Sequence, residues 1–196
     1  MHARSATALR YQRGFTLIEM MIVVVIVGVL ATLAVYGVGK YILSAKTSEA
    51  VSMMTSIKSA EEAFKGETFV YLDVSGSFAD ANFFPTITPG KTKVDWNGAP
   101  GGTIASVATN WRTLGVRPDG PTIFAYAVVA TAPGATPQAL PTSMVKPYAA
   151  FGLPSTPTAW QYVALAKADL GGRSGVFTYV LSHSYSNEVY VENEGE

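Results

Sequence analysis

The stretch "RGFTLIEMMIVVVIVGVLATLAVYGVG", residues 13–39, decides how this chain begins. From Phe15 to Gly39 it has 25 residues, and only Glu19 among them carries a charge at neutral pH. A helix rises about 1.5 Å per residue, so this run would span roughly 37 Å, more than the hydrocarbon core of a bilayer. The run therefore predicts a membrane-spanning helix, with one carboxylate near its start that needs an explanation.

Basic residues flank the run unevenly. Arg10 and Arg13 precede it and Lys40 is the first base after it, which favours a cytoplasmic N-terminus. Three interpretations remain open from these features. The run is the core of a cleaved secretory signal with a small-residue site at 32–34, a plain signal anchor, or a segment retained after processing near Gly14.

An amphipathic pattern follows the run in "SEAVSMMTSIKSAEEAFKG". Its apolar residues recur at spacings of three and four, as on one face of a helix: Ala50, Met53, Met54, Ile57, Ala60 and Phe64. Gly66 is the predicted stop. We therefore predict one helix of about 50 residues, apolar all round over residues 15–40 and amphipathic over residues 41–66.

Residues 13–66 resemble the N-terminus of type IV pilins and the related pseudopilins. The resemblance rests on a basic leader, then Gly-Phe-Thr-Leu-Ile-Glu, then the membrane-length apolar run. It implies that a prepilin peptidase removes leader 1–14 by cutting between Gly14 and Phe15, and that the new Phe15 amine is methylated. It also implies insertion in the inner membrane with the N-terminus cytoplasmic, followed by assembly into an extracellular filament at the cell surface.

The resemblance further implies the partners: the peptidase and methyltransferase, the lipid bilayer, an inner-membrane assembly platform, and copies of itself or other pilins. Glu19 lies one helical turn after Phe15. A carboxylate inside a membrane costs about 2.5–3.5 kcal/mol on insertion scales, so such residues are usually functional. We assign Glu19 to filament assembly, by pairing with the Phe15 amine of a neighbour. The alternative is a carboxylate that only favours the helix dipole.

Two features depart from the family pattern. Tyr36 stands where many members have a proline, and the chain has no cysteine, so the C-terminal disulfide of many pilins is excluded.

Residues 67–196 predict a globular region built around a sheet. Four segments are rich in β-branched and aromatic residues and are separated by turn residues: 122–130, 159–166, 175–182 and 187–192. We predict an α+β, pilin-like fold in which these strands form an antiparallel meander against the long helix. One face of the sheet should cover the helix, and the other is expected to meet a neighbouring subunit.

Two long loops complete the predicted globular region. Loop 73–121 should contain a short helix within residues 104–115, held to the body by Trp111 and Leu114. Loop 131–158 holds six prolines and is expected on the outside of a filament.

Few residues suggest chemistry. His183 lies between predicted strands and is interpreted as a surface turn histidine. The segment 167–175 offers only Asp169 as a carboxylate, so we predict a tight turn and no calcium site. We predict no cofactor, no metal and no catalytic residue, which disfavours a membrane-anchored periplasmic enzyme or binding domain.

The charge distribution predicts no nucleic-acid partner. The chain has 14 basic and 14 acidic residues, and removing Arg4, Arg10 and Arg13 leaves 11 against 14, a net of −3. This is no nucleic-acid footprint. The sequence thus predicts a structural subunit of an extracellular type IV pilus or pilus-like filament, with a type II secretion pseudopilin as the alternative.

Overall fold

The structure, a computed structural model, describes residues 14–87, 89–96, 105–172 and 175–194. The chain divides into two compact units at Lys40 and Tyr41. We call the described residues 14–40 the N-terminal unit and the described residues of 41–196 the globular unit. One long helix, α1 (Leu17–Thr68), runs through both and confirms the predicted helix.

The end of α1 differs from the prediction. The helix does not stop at Gly66 but continues to Thr68, and Phe69 then takes a left-handed backbone conformation with φ of 64°. The Phe69 N–H donates to the Lys65 carbonyl at 2.8 Å, and the Thr68 hydroxyl donates to the Phe64 carbonyl at 2.8 Å. A glycine inside a helix costs only about 1 kcal/mol relative to alanine, so Gly66 alone does not end one.

The amphipathic half of α1 packs as predicted. Ala50, Met53, Met54 and Ile57 are buried, and Ala60 and Phe64 pack against the same core. Glu61 is also fully buried in this face, and its Oε2 accepts a hydrogen bond from the Leu72 N–H at 3.0 Å. Burial is the main cause that raises the pKa of Glu61 to about 8.

Four antiparallel strands form the predicted meander in the order β1-β2-β3-β4. They are β1 (Ala125–Thr131), β2 (Gln161–Ala168), β3 (Thr178–His183) and β4 (Tyr190–Glu192). The register places Val128 opposite Ala164, and Ala164 opposite Ser182.

One face of the sheet shares a core with α1. It contributes Tyr126, Val128, Tyr162, Ala164, Ala166 and Val180. The alternation along β2 places alanines on this face, where small side chains leave room for the helix residues.

We expected the other face of the sheet to meet a neighbouring subunit, and this prediction is wrong, because loops of the same chain cover this face. Ala127, Leu165 and Leu181 pack with residues from both long loops in a second core. The loop residues are Phe78, Phe83, Met144, Phe151 and Leu153. Apolar side chains lie between the prolines of loop 131–158, and burying them against the sheet stabilises the loop there.

Loop 73–121 contains the predicted short helix, α2 (Ala105–Leu114). Trp111 and Leu114 are buried, which confirms that they hold the segment to the body. Short 3-10 turns occur at Asp80–Asn82 and at Tyr148–Phe151.

His183 is not a surface turn residue, contrary to the prediction. It ends β3, is 1% exposed, and stacks on Tyr190 with ring centroids 5.8 Å apart. Its Nδ1 accepts a hydrogen bond from the Tyr185 N–H at 3.2 Å. Burial, followed by the charge of Lys58, lowers the pKa of His183, and a hydrogen bond with the Phe151 backbone opposes them. The prediction failed because the covering loop buries this face, which the local turn residues do not indicate.

Candidate processing and assembly site at the start of α1

The candidate cleavage site lies just ahead of the helix. Gly14, Phe15 and Thr16 are exposed and precede Leu17, the first residue of α1. Phe15 is 78% exposed, and a Cβ placed on Gly14 would meet nothing within 4 Å. The rest of the predicted leader, residues 1–13, lies outside the described residues. A non-helical, accessible peptide bond is the kind of substrate that a peptidase can bind in extended form.

A reciprocal pair of hydrogen bonds joins Thr16 to Glu19. Glu19 Oε2 accepts from the Thr16 N–H and from the Thr16 hydroxyl, each at 3.3 Å. The Glu19 N–H in turn donates to Thr16 Oγ1 at 3.2 Å. This is a capping box, in which a Thr and a Glu three residues later satisfy N–H groups that the first helical turn leaves free.

Sequence reasoning missed Thr16 as a participant in this site. The signal was readable, because Thr-Leu-Ile-Glu ahead of an apolar run has the spacing of a capping box. Glu19 therefore already has a local role before any assembly. Only its Oε2 takes part in the box, and the residue is exposed, so Oε1 can still accept from another donor.

The surface that follows is apolar on every side. All residues of the N-terminal unit are exposed, including Ile22, Val25 and Ile26 at 53–66%. Among the described residues, α1 is the one helix long and apolar enough to cross a membrane by length and composition. Such a continuous apolar surface is unstable in water, so it requires lipid or other apolar helices around it.

The predicted metal-free turn after β2 is only partly described. Lys167 belongs to β2 and pairs with Asp80 at 2.8 Å, and Asp169 Oδ1 accepts from the Gly172 N–H. Residues 173–174 lie outside the described part. Across residues 14–87, 89–96, 105–172 and 175–194, no three His, Cys, Asp or Glu side chains are grouped to hold a metal ion. The absence of calcium binding stays a prediction.

These features define a class: an α+β protein with a membrane-length N-terminal helix, an accessible Gly-Phe bond ahead of it and a carboxylate in its first turn. Comparison with known proteins agrees. Residues 9–35 match the family model of the prokaryotic N-terminal methylation motif. The chain is 31% identical to a fimbrial protein of Moraxella nonliquefaciens over 107 residues, which cover 54% of this chain and 70% of that protein.

Two further relatives match over shorter lengths. The type IV major pilin PilA of Myxococcus xanthus is 39% identical over 69 residues, covering 35% of this chain and 31% of the pilin. The type IV major fimbrial protein FimA of Dichelobacter nodosus is 49% identical over 47 residues, covering 24% and 29%. The matches thus span about a third of these two relatives. No solved structure matches.

The chain belongs to the type IV pilin family. This membership confirms the predicted resemblance and the pilin-like α+β fold. It also confirms the prediction of a structural protein over that of an enzyme.

Proposed function

We propose that this chain is a structural subunit of a type IV pilus, held in the inner membrane before assembly and exposed at the cell surface afterwards. The observation that carries the proposal is the apolar N-terminal unit, exposed along its whole length, with a single carboxylate in the first turn of its helix; the matched methylation motif, residues 9–35, covers most of this unit. The relatives named above are pilus or fimbrial proteins, and none of the three is a secretion pseudopilin.

Processing in this proposal takes place between Gly14 and Phe15. A prepilin peptidase removes residues 1–14, and methylation follows on the new Phe15 amine. The exposure of Phe15 and the open space around Gly14 support this assignment. The Gly14→Val precursor should stay at full length in the membrane, since a branched side chain obstructs a narrow peptidase cleft. Gly14→Ala is the matched control, and a Gly14→Val protein of mature size would refute the assigned bond.

Assembly depends on Glu19. In a filament, the apolar N-terminal helices pack together, and the carboxylate of one subunit pairs with the Phe15 amine of its neighbour. The ion pair offsets the cost of burying both charges and selects one axial register, because apolar packing alone permits many. The free Oε1 of Glu19 is available for this contact.

The capping box allows a sharp test of this role. Glu19→Gln removes the charge but keeps a side-chain oxygen that can accept from the Thr16 N–H, since Gln also serves in a capping box. Thr16→Ala removes the hydroxyl of the box but keeps the charge. We expect Glu19→Gln and Glu19→Ala subunits to be cleaved and then to fail to enter filaments efficiently. Thr16→Ala subunits should assemble, because losing a cap costs only about 1 kcal/mol.

The readouts are the mature N-terminus, determined by mass spectrometry, and the yield of sheared filaments. Normal filaments from Glu19→Gln subunits, with loss of filaments in Thr16→Ala, would assign Glu19 to helix capping alone. Unprocessed Glu19→Gln precursor would instead place its effect at cleavage.

The remaining partners follow from the same proposal: the peptidase and methyltransferase, an inner-membrane assembly platform, the bilayer and further pilin copies. Motility, adhesion and other outcomes of the filament are not part of it.

A further inference from the structure

A cavity of about 390 Å³ lies beside α2 in the globular unit. Its walls include Phe84, Trp96 and Trp111. The Phe84 and Trp96 rings meet edge to face with centroids 4.8 Å apart, and Trp96 and Trp111 do so at 5.3 Å. The volume falls within the range of about 300–1,000 Å³ that is usual for small-molecule sites.

The end of α2 brings two arginines to this cavity. Gly115 follows the helix with φ of 74°, and its N–H donates to the carbonyls of Trp111 and Arg112, each at 3.2 Å. This left-handed glycine reverses the chain, so that Arg117 lines the same cavity as Arg112. A side chain at position 115 would strain this turn.

Both guanidinium groups lack a partner within the described chain. Arg112 and Arg117 are exposed, and the ion pairs among the described residues join Lys93 to Glu49 and Lys167 to Asp80. The described residues that line the cavity include no Asp or Glu. Arg112 also lies in the last turn of α2, where a cation favours the helix dipole, but that role explains neither Arg117 nor the aromatic walls.

We propose that this cavity binds a small carboxylate attached to a six-membered ring. The cavity wall includes apolar surface: Phe84 and Trp96 keep 5–6% of their surface exposed, and the half-buried Ala108 adds to the wall that a ring would contact. Among the described lining residues, the polar side-chain groups are guanidinium and indole N–H groups, which only donate hydrogen bonds, so a ligand that pairs with them supplies acceptors. A carboxylate matches the planar fork of a guanidinium and is the simplest such acceptor.

Two sources supply this chemistry: a sugar acid, such as a uronic acid unit, and an aromatic acid. The experiment uses the full-length processed chain in detergent micelles, with galacturonate and benzoate as probes. Galactose has the ring without the charge, and acetate has the charge without the ring. The indole N–H signals of the three tryptophans in a ¹⁵N spectrum report binding, with calorimetry for affinity.

We expect at least one ringed acid to shift the signals of Trp96 and Trp111 while Trp160, which does not line the cavity, stays unchanged. Galactose and acetate should cause no saturable shift at the same concentrations. Binding of galacturonate alone would identify a sugar acid, and binding of benzoate alone an aromatic acid.

The variant Arg112→Gln/Arg117→Gln should weaken binding by roughly tenfold or more, since hydrogen bonds to charged groups are among the stronger ones. Both side chains are exposed, so the fold should survive. The matched control is Lys146→Gln, an exposed base elsewhere on the globular unit. The proposal is overturned if neither ringed acid binds, if acetate or galactose binds equally well, or if the double variant binds as the parent does. Subunits that fail to form filaments would still bind, so this test is independent of the pilus function.

Discussion

Each half of α1 carries a glutamate among apolar residues, but only the glutamate of the second half is buried by the folded chain itself. Glu61 is fully buried, and the Leu72 N–H from the same chain satisfies its Oε2. Glu19 is exposed, and among the described residues its side chain bonds to Thr16 alone, just ahead of its own helix. The second half of α1 thus completes its burial within the chain. The first half presents an apolar surface and a carboxylate whose burial requires a membrane or other copies of the chain.

The largest expected effect comes from separating the two halves. A chain that starts at Tyr41 should fold, remain monomeric and be soluble without detergent, because the globular unit has its own cores on both sheet faces. Circular dichroism and analytical ultracentrifugation would measure this. An unfolded fragment, or one that forms filaments unaided, would contradict the division of α1 into an anchoring half and a packing half.

Two methionine substitutions, one in each half of α1, should differ in their effect on the free energy of unfolding. Met54 is fully buried, so Met54→Ala should lower the free energy of unfolding of the globular unit by about 2–5 kcal/mol. Met21 is 60% exposed, so Met21→Ala should leave that free energy unchanged. Urea unfolding of the full chain in detergent, followed by near-UV circular dichroism, provides the measurement. Equal losses from the two variants would show that the first half also supports the globular core.

Glu61 should make stability depend on pH. Burial raises its pKa to about 8 in the folded chain, against an ordinary value of 4.5 for a glutamate. Between those pH values the folded state keeps a proton that the unfolded state has lost, so stability falls as pH rises, by up to about 1.4 kcal/mol per pH unit. Glu61→Gln should remove this slope, which leaves the variant similar to the parent at pH 5 and more stable at pH 8.5. Unfolding curves at both pH values test it, and parallel pH profiles for parent and variant would contradict the assignment.

The smallest effect concerns glycines within α1. Gly66→Ala should stabilise the globular unit by up to about 1 kcal/mol, because Gly66 is helical and an added Cβ meets nothing within 4 Å. Gly28→Ala is the matched change in the first half, where the space is equally open. It should not alter the unfolding midpoint of the globular unit. A destabilised Gly66→Ala chain would mean that the helix end requires the flexibility of glycine after all.

Much of the architecture could be predicted from local patterns. The spacing of Ala50, Met54 and Ile57 predicted the buried face of α1, and strand propensity predicted four strands in the observed order. These predictions succeeded because side-chain periodicity is set by the backbone geometry of each element. The proposed processing and assembly residues, Gly14, Phe15 and Glu19, also form a local motif, and their roles stay predictions.

Sequence reasoning missed the burial of His183 and of Glu61, and each depends on residues from another segment of the chain. His183 is buried because the loop residue Phe151 and the strand residue Tyr190 lie in the same region of the second core. Glu61 is buried because the chain returns at Leu72 to satisfy its carboxylate. Neither contact has a signature in the local sequence of the buried residue.

The sequence by itself determined the apolar N-terminal helix and the order of helix and strands, and it carries the motif behind the proposed site at Gly14, Phe15 and Glu19, because length, periodicity and adjacent motifs are local properties. Tertiary structure alone decided which sheet face the chain covers, where Glu61 and His183 lie, and that Arg112 and Arg117 line one aromatic cavity. Those outcomes depend on the packing of segments far apart in the chain, where burial and hydrogen bonding across the fold outweigh the propensity of any one segment.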